Sequence, residues 1–192
     1  MRSLRANPTT ELTALCDLRS EPLVANAAEL GVEHIFTDAG ELIRSDVVDA
    51  VVVGTPMQFH APQAILALEH DIHVLSEVTA AVSIEESRDL VRAARRSAAT
   101  YMMAENYTYI KQNVLVCELV RRGLFGETYY GEGAYMHELK QLNEKTPRAP
   151  ALADGGQRLH VPPHSLGPVL QWFGESRINV DGARGDRVVE VS

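Results

Sequence analysis

Short apolar runs alternate with longer stretches of helical periodicity over residues 11–104. The apolar runs predict β-strands at 12–16, 34–36, 47–54, 73–76 and 101–104. The amphipathic stretches between them predict helices at 21–30, 41–44 and 61–69, and a further helix that begins after Ser83. Strands that alternate with helices in this way are typical of βαβ units and a parallel sheet. We therefore expect an α/β fold with a doubly wound parallel sheet.

Local signals support these elements. Gly31 follows the first long helical stretch, where a glycine closes a helix by adopting a left-handed conformation. Ser83 followed by Glu86 is a capping-box pattern, in which each side chain satisfies a free backbone N–H at the start of a helix. The run at 47–54 is apolar apart from Asp49, which predicts a strand buried on both faces.

The pattern changes after residue 104. The second part predicts a helix at 110–121, a long strand at 127–137 and a polar, proline-containing loop at 138–158. A helix at 165–173 and a final strand at 188–191 follow. We expect a domain boundary near residue 106.

One expected motif is missing. A doubly wound sheet that binds a dinucleotide normally opens with a strand and a G-x-G-x-x-G turn, whose glycines let the backbone approach the pyrophosphate. The nearest match, at 131–133, lies in a predicted strand and opens no helix. Residues 2–6 look like the end of the helix that follows such a turn. We therefore expect a sheet without its first strand, with two unpaired edges in its middle, and hence a fragment or a chain of low stability.

Composition excludes several classes of protein. The 192 residues carry 18 Lys and Arg against 26 Asp and Glu, a net charge of −8, which argues against a nucleic-acid partner. No apolar run approaches the roughly 20 residues that a membrane helix needs, and no secretory signal opens the sequence. Two cysteines, Cys16 and Cys117, make no disulfide framework. These features predict a cytoplasmic protein.

Five motifs, in a fixed order, resemble the Gfo/Idh/MocA family of sugar and cyclitol oxidoreductases. They are Asp17, Gly54-Thr55-Pro56-Met57-Gln58-Phe59-His60, His73-Val74-Leu75-Ser76-Glu77, Glu105-Asn106-Tyr107 and Gly123-Leu124-Phe125-Gly126-Glu127. The resemblance implies a Rossmann-type NAD(P)-binding domain at 1–105, incomplete at its start. It also implies part of an α+β substrate domain with an open sheet at 106–192, through which the full-length protein forms a homo-oligomer.

The sequence departs from the family pattern at one catalytic position. Family members usually carry a lysine in a Glu-Lys-Pro motif, whereas this sequence has Glu77-Val78-Thr79. In lacking this lysine, the sequence resembles the branch of NAD-dependent N-acetylgalactosaminidases. The resemblance therefore implies a hydride transfer at a sugar-like secondary alcohol, or a glycosidase that uses transient oxidation and elimination. A non-catalytic fragment or interaction module is the third possibility.

Candidate cofactor ligands follow the predicted strands at their carboxyl ends, where open α/β sheets bind ligands. They are Asp17, Thr55, Pro56, His60, Glu77 and Asn106. A carboxylate at Asp17 accepts hydrogen bonds from the adenosine ribose and repels a 2′-phosphate, which favours NAD. Arg19 is close enough in sequence to accommodate that phosphate, so NADP stays open.

In the absence of the lysine, acid–base catalysis requires another side chain. The candidates are Tyr135, His137 and His164. An unperturbed tyrosine titrates at about 10, so a tyrosine base needs a cationic neighbour. The resemblance favours Tyr135 as the base and His164 as a ligand of the sugar-like substrate. No metal is expected, because Pro162 and Pro163 prevent His160 and His164 from sharing a helical face.

Overall fold

The structure of the protein is a computed structural model that describes residues 2–127, 129–136 and 162–173. The chain divides into two compact units, Met1–Met103 and Ala104–Ser192. The assignment of a cofactor domain to 1–105 and a substrate domain to 106–192 stays a prediction.

The first unit alternates strands and helices as predicted. Its elements are α1 (Arg2–Ala6), β1 (Ala14–Cys16), α2 (Ser20–Leu30), β2 (His34–Phe36), α3 (Ala39–Ile43), β3 (Ala50–Val53), α4 (His60–Glu69), β4 (His73–Ser76), α5 (Ile84–Arg96) and β5 (Tyr101–Met103). A short 3-10 helix, Met57–Phe59, precedes α4. Alternation of this kind confirms the α/β fold.

All described strand pairs are parallel. β1 pairs with β2, and the order of the other sheet is β3-β4-β5. Among the described strands, neither β1 nor β3 has a second neighbour, and the two are not paired with each other. The described sheet is therefore divided at the position where the sequence predicts two unpaired edges.

Small residues allow α4 to pack closely on the sheet. Ala61, Ala64 and Ala67 are fully buried, and Leu68 on the same helix is only 1% exposed. Ala64, Ala67 and Leu68 belong to one buried cluster with Val51 and Val53 of β3, Val74 of β4 and Leu90 of α5. This cluster consequently lies on the face of the β3-β4-β5 sheet that α4 and α5 cover, and a second buried cluster includes residues of β1 and α2.

One face of β3 is exposed, which contradicts one prediction. The apolar run at 47–54 predicts burial on both faces, but Val52 is 53% exposed while Val51 and Val53 are buried. Val52 stands in register with Leu75, which in turn stands in register with Met102. Because side chains alternate between the faces of a strand, these residues form an apolar row on the less covered face.

The predicted helix caps are confirmed. Gly31 ends α2 with φ +67°, a left-handed conformation that residues other than glycine rarely adopt. The Ser83 side chain accepts a hydrogen bond from the N–H of Glu86 at 3.1 Å, and the Glu86 carboxylate accepts one from the N–H of Val82 at 2.9 Å. The C-terminus of α2 and the N-terminus of α5 are thus satisfied locally.

The second unit differs from its prediction in one element. It contains a 3-10 helix (Tyr107–Tyr109), α6 (Lys111–Arg121) and α7 (Pro162–Trp172), so both predicted helices are present. The strand predicted at 127–137 is wrong for its described part, since residues 129–136 form no strand. The loop and the strand predicted at 138–158 and 188–191 lie outside the described residues.

Within the described ranges, no helix has the length and apolar character that a membrane crossing requires.

Candidate functional site

Polar residues follow the carboxyl ends of the strands in the first unit. Asp17 comes directly after β1, Thr55 follows β3, and Glu77 follows β4. The N–H of Glu77 donates to the carbonyl of Val53 at 2.8 Å, which extends the β3–β4 ladder by one residue. Ligands of open α/β folds bind at these strand ends.

Asp17 is an ionised carboxylate bound by its neighbour Arg19. Its Oδ1 accepts from the Arg19 N–H at 2.8 Å and from Nε at 3.1 Å, while Oδ2 accepts from Nη2 at 3.1 Å. Hydrogen bonds from the Arg19 side chain and backbone lower the pKa of Asp17. This strand end thus carries a negative carboxylate and a positive guanidinium that bind each other.

His60 joins the segments that follow β3 and β4. Its side chain is buried, its Nε2 lies 2.7 Å from the carbonyl of Thr55, and its Nδ1 lies 2.8 Å from the carbonyl of Thr79. Thr55 also donates from Oγ1 to Gln63 of α4 at 2.8 Å. Because both ring nitrogens contact backbone carbonyls, His60 holds these two segments together, and its predicted contact with a cofactor stays a prediction.

Pro56, Glu77 and Asn106 are exposed. Pro56 starts the turn that leads into the 3-10 helix before α4. Asn106 lies in the second unit, directly before the 3-10 helix Tyr107–Tyr109. Their predicted contacts with a cofactor stay predictions.

The second unit brings two predicted residues, Tyr135 and His164, into contact. Their ring centroids lie 5.0 Å apart. Tyr107 completes the group: its ring stacks on His164 at 4.6 Å and meets Tyr135 edge-on at 4.8 Å. His137, the third candidate, lies outside the described residues. We call Glu105, Tyr107, Tyr135 and His164 the dyad cluster, after the pair that Glu105 and His164 form.

Glu105 is a residue of the site that the sequence reasoning missed. Its Oε1 pairs with His164 Nδ1 and accepts from the N–H of Tyr107 at 3.1 Å. Its Oε2 accepts from the N–H of Thr108 at 3.0 Å and from Thr108 Oγ1 at 2.6 Å. The Glu-x-x-Thr spacing signals a local cap, but no sequence pattern connects Glu105 with a histidine 59 residues later.

The carboxylate of Glu105 stays charged although it is nearly buried. The side chains of Glu105 and His164 are only 11% and 10% exposed. Burial raises the pKa of Glu105, but the hydrogen bonds from Thr108, His164 and the two backbone N–H groups outweigh that effect, and the net pKa is lowered. A buried ionised carboxylate with four donors is a rigid acceptor.

Tyr135 is shifted in the opposite direction. Burial, followed by the neighbouring Tyr107, raises the pKa of the Tyr135 hydroxyl above its ordinary value. Tyr135 is therefore a phenol at neutral pH and donates a hydrogen bond readily. A tyrosine base needs a cationic neighbour, and no cation is among the causes of this pKa shift.

Gly167 of α7 permits the close approach of that helix. A Cβ atom at this position would lie 2.8 Å from Glu105 Oε2 and 2.9 Å from Thr108 Oγ1. Both distances are shorter than nonbonded contacts allow. The glycine thus leaves room for the buried carboxylate that binds His164 one helical turn earlier.

Comparison with protein families adds an independent finding. A model of the oxidoreductase family with the NAD-binding Rossmann fold, Gfo/Idh/MocA, matches residues 1–105. An α-N-acetylgalactosaminidase of Shewanella oneidensis is 36% identical over 92% of this chain and 40% of its own length. The chain thus spans about two fifths of the length of the curated relatives that it matches.

Solved structures of dehydrogenases share the fold. A scyllo-inositol dehydrogenase from Lactobacillus casei with bound NAD(H) and scyllo-inositol superposes with a TM-score of 0.63 at 23% identity, over 66% of this chain and 38% of its own. The WlbA dehydrogenase of Bordetella pertussis, in complex with NADH and UDP-GlcNAcA, gives a TM-score of 0.60 at 26% identity, over 65% of this chain and 36% of its own.

Proposed function

This chain belongs to the Gfo/Idh/MocA oxidoreductase family, and from that membership we propose that the whole protein is an NAD(P)-dependent oxidoreductase. Its proposed substrate is a sugar-like or cyclitol secondary alcohol. The observation that carries the proposal is the ionised Asp17 at the carboxyl end of β1, within the matched segment. The dehydrogenases that share the fold support the substrate class.

The residues present fit one end of a dinucleotide. The Asp17 carboxylate, 34% exposed, has room to accept hydrogen bonds from ribose hydroxyls while it stays bound to Arg19. When bound, the nicotinamide supplies the hydride chemistry. His60 holds the segments after β3 and β4, and these carry Thr55, Pro56 and Glu77 toward the cofactor. The sequence contains no G-x-G-x-x-G turn, so these residues account for the ribose and strand-end contacts only.

We propose NAD as the cofactor in preference to NADP. A 2′-phosphate at this strand end meets the negative carboxylate of Asp17, whereas the guanidinium of Arg19 is already engaged by that carboxylate. The Asp17 carboxylate and the 2′-phosphate are both negative, so their repulsion opposes binding. NADP therefore binds less tightly than NAD on this proposal.

The dyad cluster of the second unit is the proposed substrate-binding group. Tyr135 and His164 together offer a hydroxyl donor and an imidazole that handle the proton of a substrate hydroxyl. The assignment of Tyr135 as the base, which the family resemblance favours, is opposed by its raised pKa. Its role and that of His137 are questions for variants of the full-length protein.

A glycosidase is the second candidate. It is favoured by the relative named α-N-acetylgalactosaminidase, which aligns over 92% of this chain, and by the absence of lysine in Glu77-Val78-Thr79. In such a reaction the net redox change is zero. A dehydrogenase therefore accumulates NADH with its substrate, whereas the glycosidase releases an aglycone without NADH.

Calorimetric titration of NAD and of NADP into the 192-residue chain tests the proposal. We expect NAD to bind, and Asp17→Asn to weaken it at least about tenfold, since a hydrogen bond to a charged group contributes about 1.5–3 kcal/mol. Asp49→Asn is the matched control, because this exposed aspartate precedes β3 at the opposite end of the strand. Absence of NAD binding, or equal losses in both variants, contradicts the proposal and favours the non-catalytic reading.

The full-length protein then separates the two activities. A panel of sugars is assayed for NADH absorbance and, with aryl glycosides, for release of the aglycone. Homo-oligomer formation stays a prediction, which light scattering of the full-length protein measures.

A further inference from the structure

Glu105 has no spare acceptor capacity. Its two carboxylate oxygens receive four hydrogen bonds, from two backbone N–H groups, from Thr108 Oγ1 and from His164 Nδ1. The two backbone donors cannot reverse their direction, and an ionised carboxylate only accepts. The fourth partner, the imidazole of His164, must therefore donate as well.

This geometry selects one tautomer of His164. A neutral imidazole carries one N–H, and the hydrogen bond at one ring nitrogen decides where that proton resides. Since Nδ1 donates to Glu105, Nε2 keeps its lone pair. The stacked ring of Tyr107, at 27° to the imidazole plane, restricts rotation of the same ring.

We propose that Glu105 is a positioning residue of the substrate site, which fixes His164 as the Nδ1–H tautomer and presents Nε2 as the acceptor for a substrate hydroxyl proton. The substrate hydroxyl in this statement rests on the proposed function, whereas the tautomer does not. Tyr135, 5.0 Å from His164 between ring centroids, is the complementary donor. The cluster thereby divides the two roles between two side chains: His164 accepts a hydrogen bond and Tyr135 donates one. This division suits a polyol, which presents paired hydroxyls.

Two features indicate that the pair is more than a local cap. A turn capped by Glu105 needs only the donors of Tyr107 and Thr108, which the carboxylate already has within three residues. The contact with His164 comes from another helix, and Gly167 on that helix leaves space that a Cβ would fill. The arrangement thus places a buried charge beside the imidazole, at the desolvation cost that buried charges incur.

Nitrogen-15 NMR of the histidine rings, at a pH where they are neutral, reads the tautomer directly in the 192-residue chain. His164→Ala assigns the signals. The test variant is Glu105→Gln, which has one acceptor oxygen where the carboxylate has two. The matched control is Glu118→Gln on α6, whose exposed carboxylate pairs with Arg122 in the same unit.

A second variant separates positioning from capping. Thr108→Val keeps the shape of the side chain but removes the hydroxyl that donates to Glu105 Oε2, so it weakens the turn and spares the contact with His164. This variant also keeps the test informative if Glu105→Gln does not fold.

In the parent chain, in Glu118→Gln and in Thr108→Val, we expect His164 to give one Nδ1–H tautomer. In Glu105→Gln we expect a mixture of tautomers or the Nε2–H form. An Nε2–H tautomer in the parent, an unchanged tautomer in Glu105→Gln, or a loss of the Nδ1–H form in Thr108→Val overturns the assignment. Failure of NAD to bind defeats the proposed function and leaves this result intact.

Discussion

Replacement of Gly167 by alanine tests the packing that holds the dyad cluster. At most positions in a helix this substitution stabilises by about 1 kcal/mol, because alanine loses less backbone entropy than glycine. Here the new Cβ would lie 2.8 Å from Glu105 Oε2 and 2.9 Å from Thr108 Oγ1. We expect the sign of the effect to reverse.

The magnitude follows from what must move. If the Glu105 carboxylate shifts, one hydrogen bond to a charged group is lost, at about 1.5–3 kcal/mol. If α7 shifts instead, overpacking costs about 1–3 kcal/mol. After the gain in helix propensity is subtracted, Gly167→Ala should destabilise the second unit by roughly 0.5–2 kcal/mol.

Trp172 makes the assay specific to this unit. It is the only tryptophan of the chain, it lies on α7 with Gly167, and its Nε1 donates to the carbonyl of Asn113 on α6 at 3.4 Å. Urea unfolding followed by tryptophan fluorescence therefore reports the separation of α6 and α7. Gly54→Ala, followed by circular dichroism, is the control for open space, since a Cβ there meets no atom within 4 Å.

A double-variant cycle identifies the cause. With Glu105 replaced by alanine, one of the two clashing groups is gone, so Gly167→Ala should cost less than in the parent chain. The reasoning is refuted if Gly167→Ala is as stable as the parent or more stable. It is equally refuted if the cost is unchanged in the Glu105→Ala background.

Three further predictions concern stability. Leu68→Ala should lower the free energy of unfolding of the first unit by about 3 kcal/mol, because Leu68 is only 1% exposed; Leu18→Ala, 82% exposed, should change it by less than about 0.5 kcal/mol, both by urea titration. Ser83→Ala removes the cap of α5 and should cost about 1 kcal/mol, which a shift in the thermal midpoint measures. The folded pKa of Glu105 lies below its ordinary value, so its ionisation stabilises the fold above that value and this stabilisation is lost as the pH falls through the folded pKa. Tryptophan fluorescence against pH should consequently show a steeper acid loss in the parent than in Glu105→Gln, and identical curves contradict it.

Local patterns determined much of the first unit. The alternation of apolar runs predicted all five strands and their parallel arrangement, because period and length distinguish short buried strands from amphipathic helices. The caps at Gly31 and Ser83 were also predictable, since each depends on residues within one helical turn. Tyr135 and His164 were identified as site candidates by resemblance to family motifs.

Only the tertiary structure decided which residues meet. The apolar run at 47–54 does not show which face helices cover, and Val52 is exposed because α4 and α5 lie on the other face. The strand predicted at 127–137 is absent from 129–136, since alternation alone gives a strand no partner. The contact of Glu105 with His164 spans 59 residues. Such a contact is a property of how two helical segments pack, and packing depends on every side chain between them, which no local sequence pattern encodes.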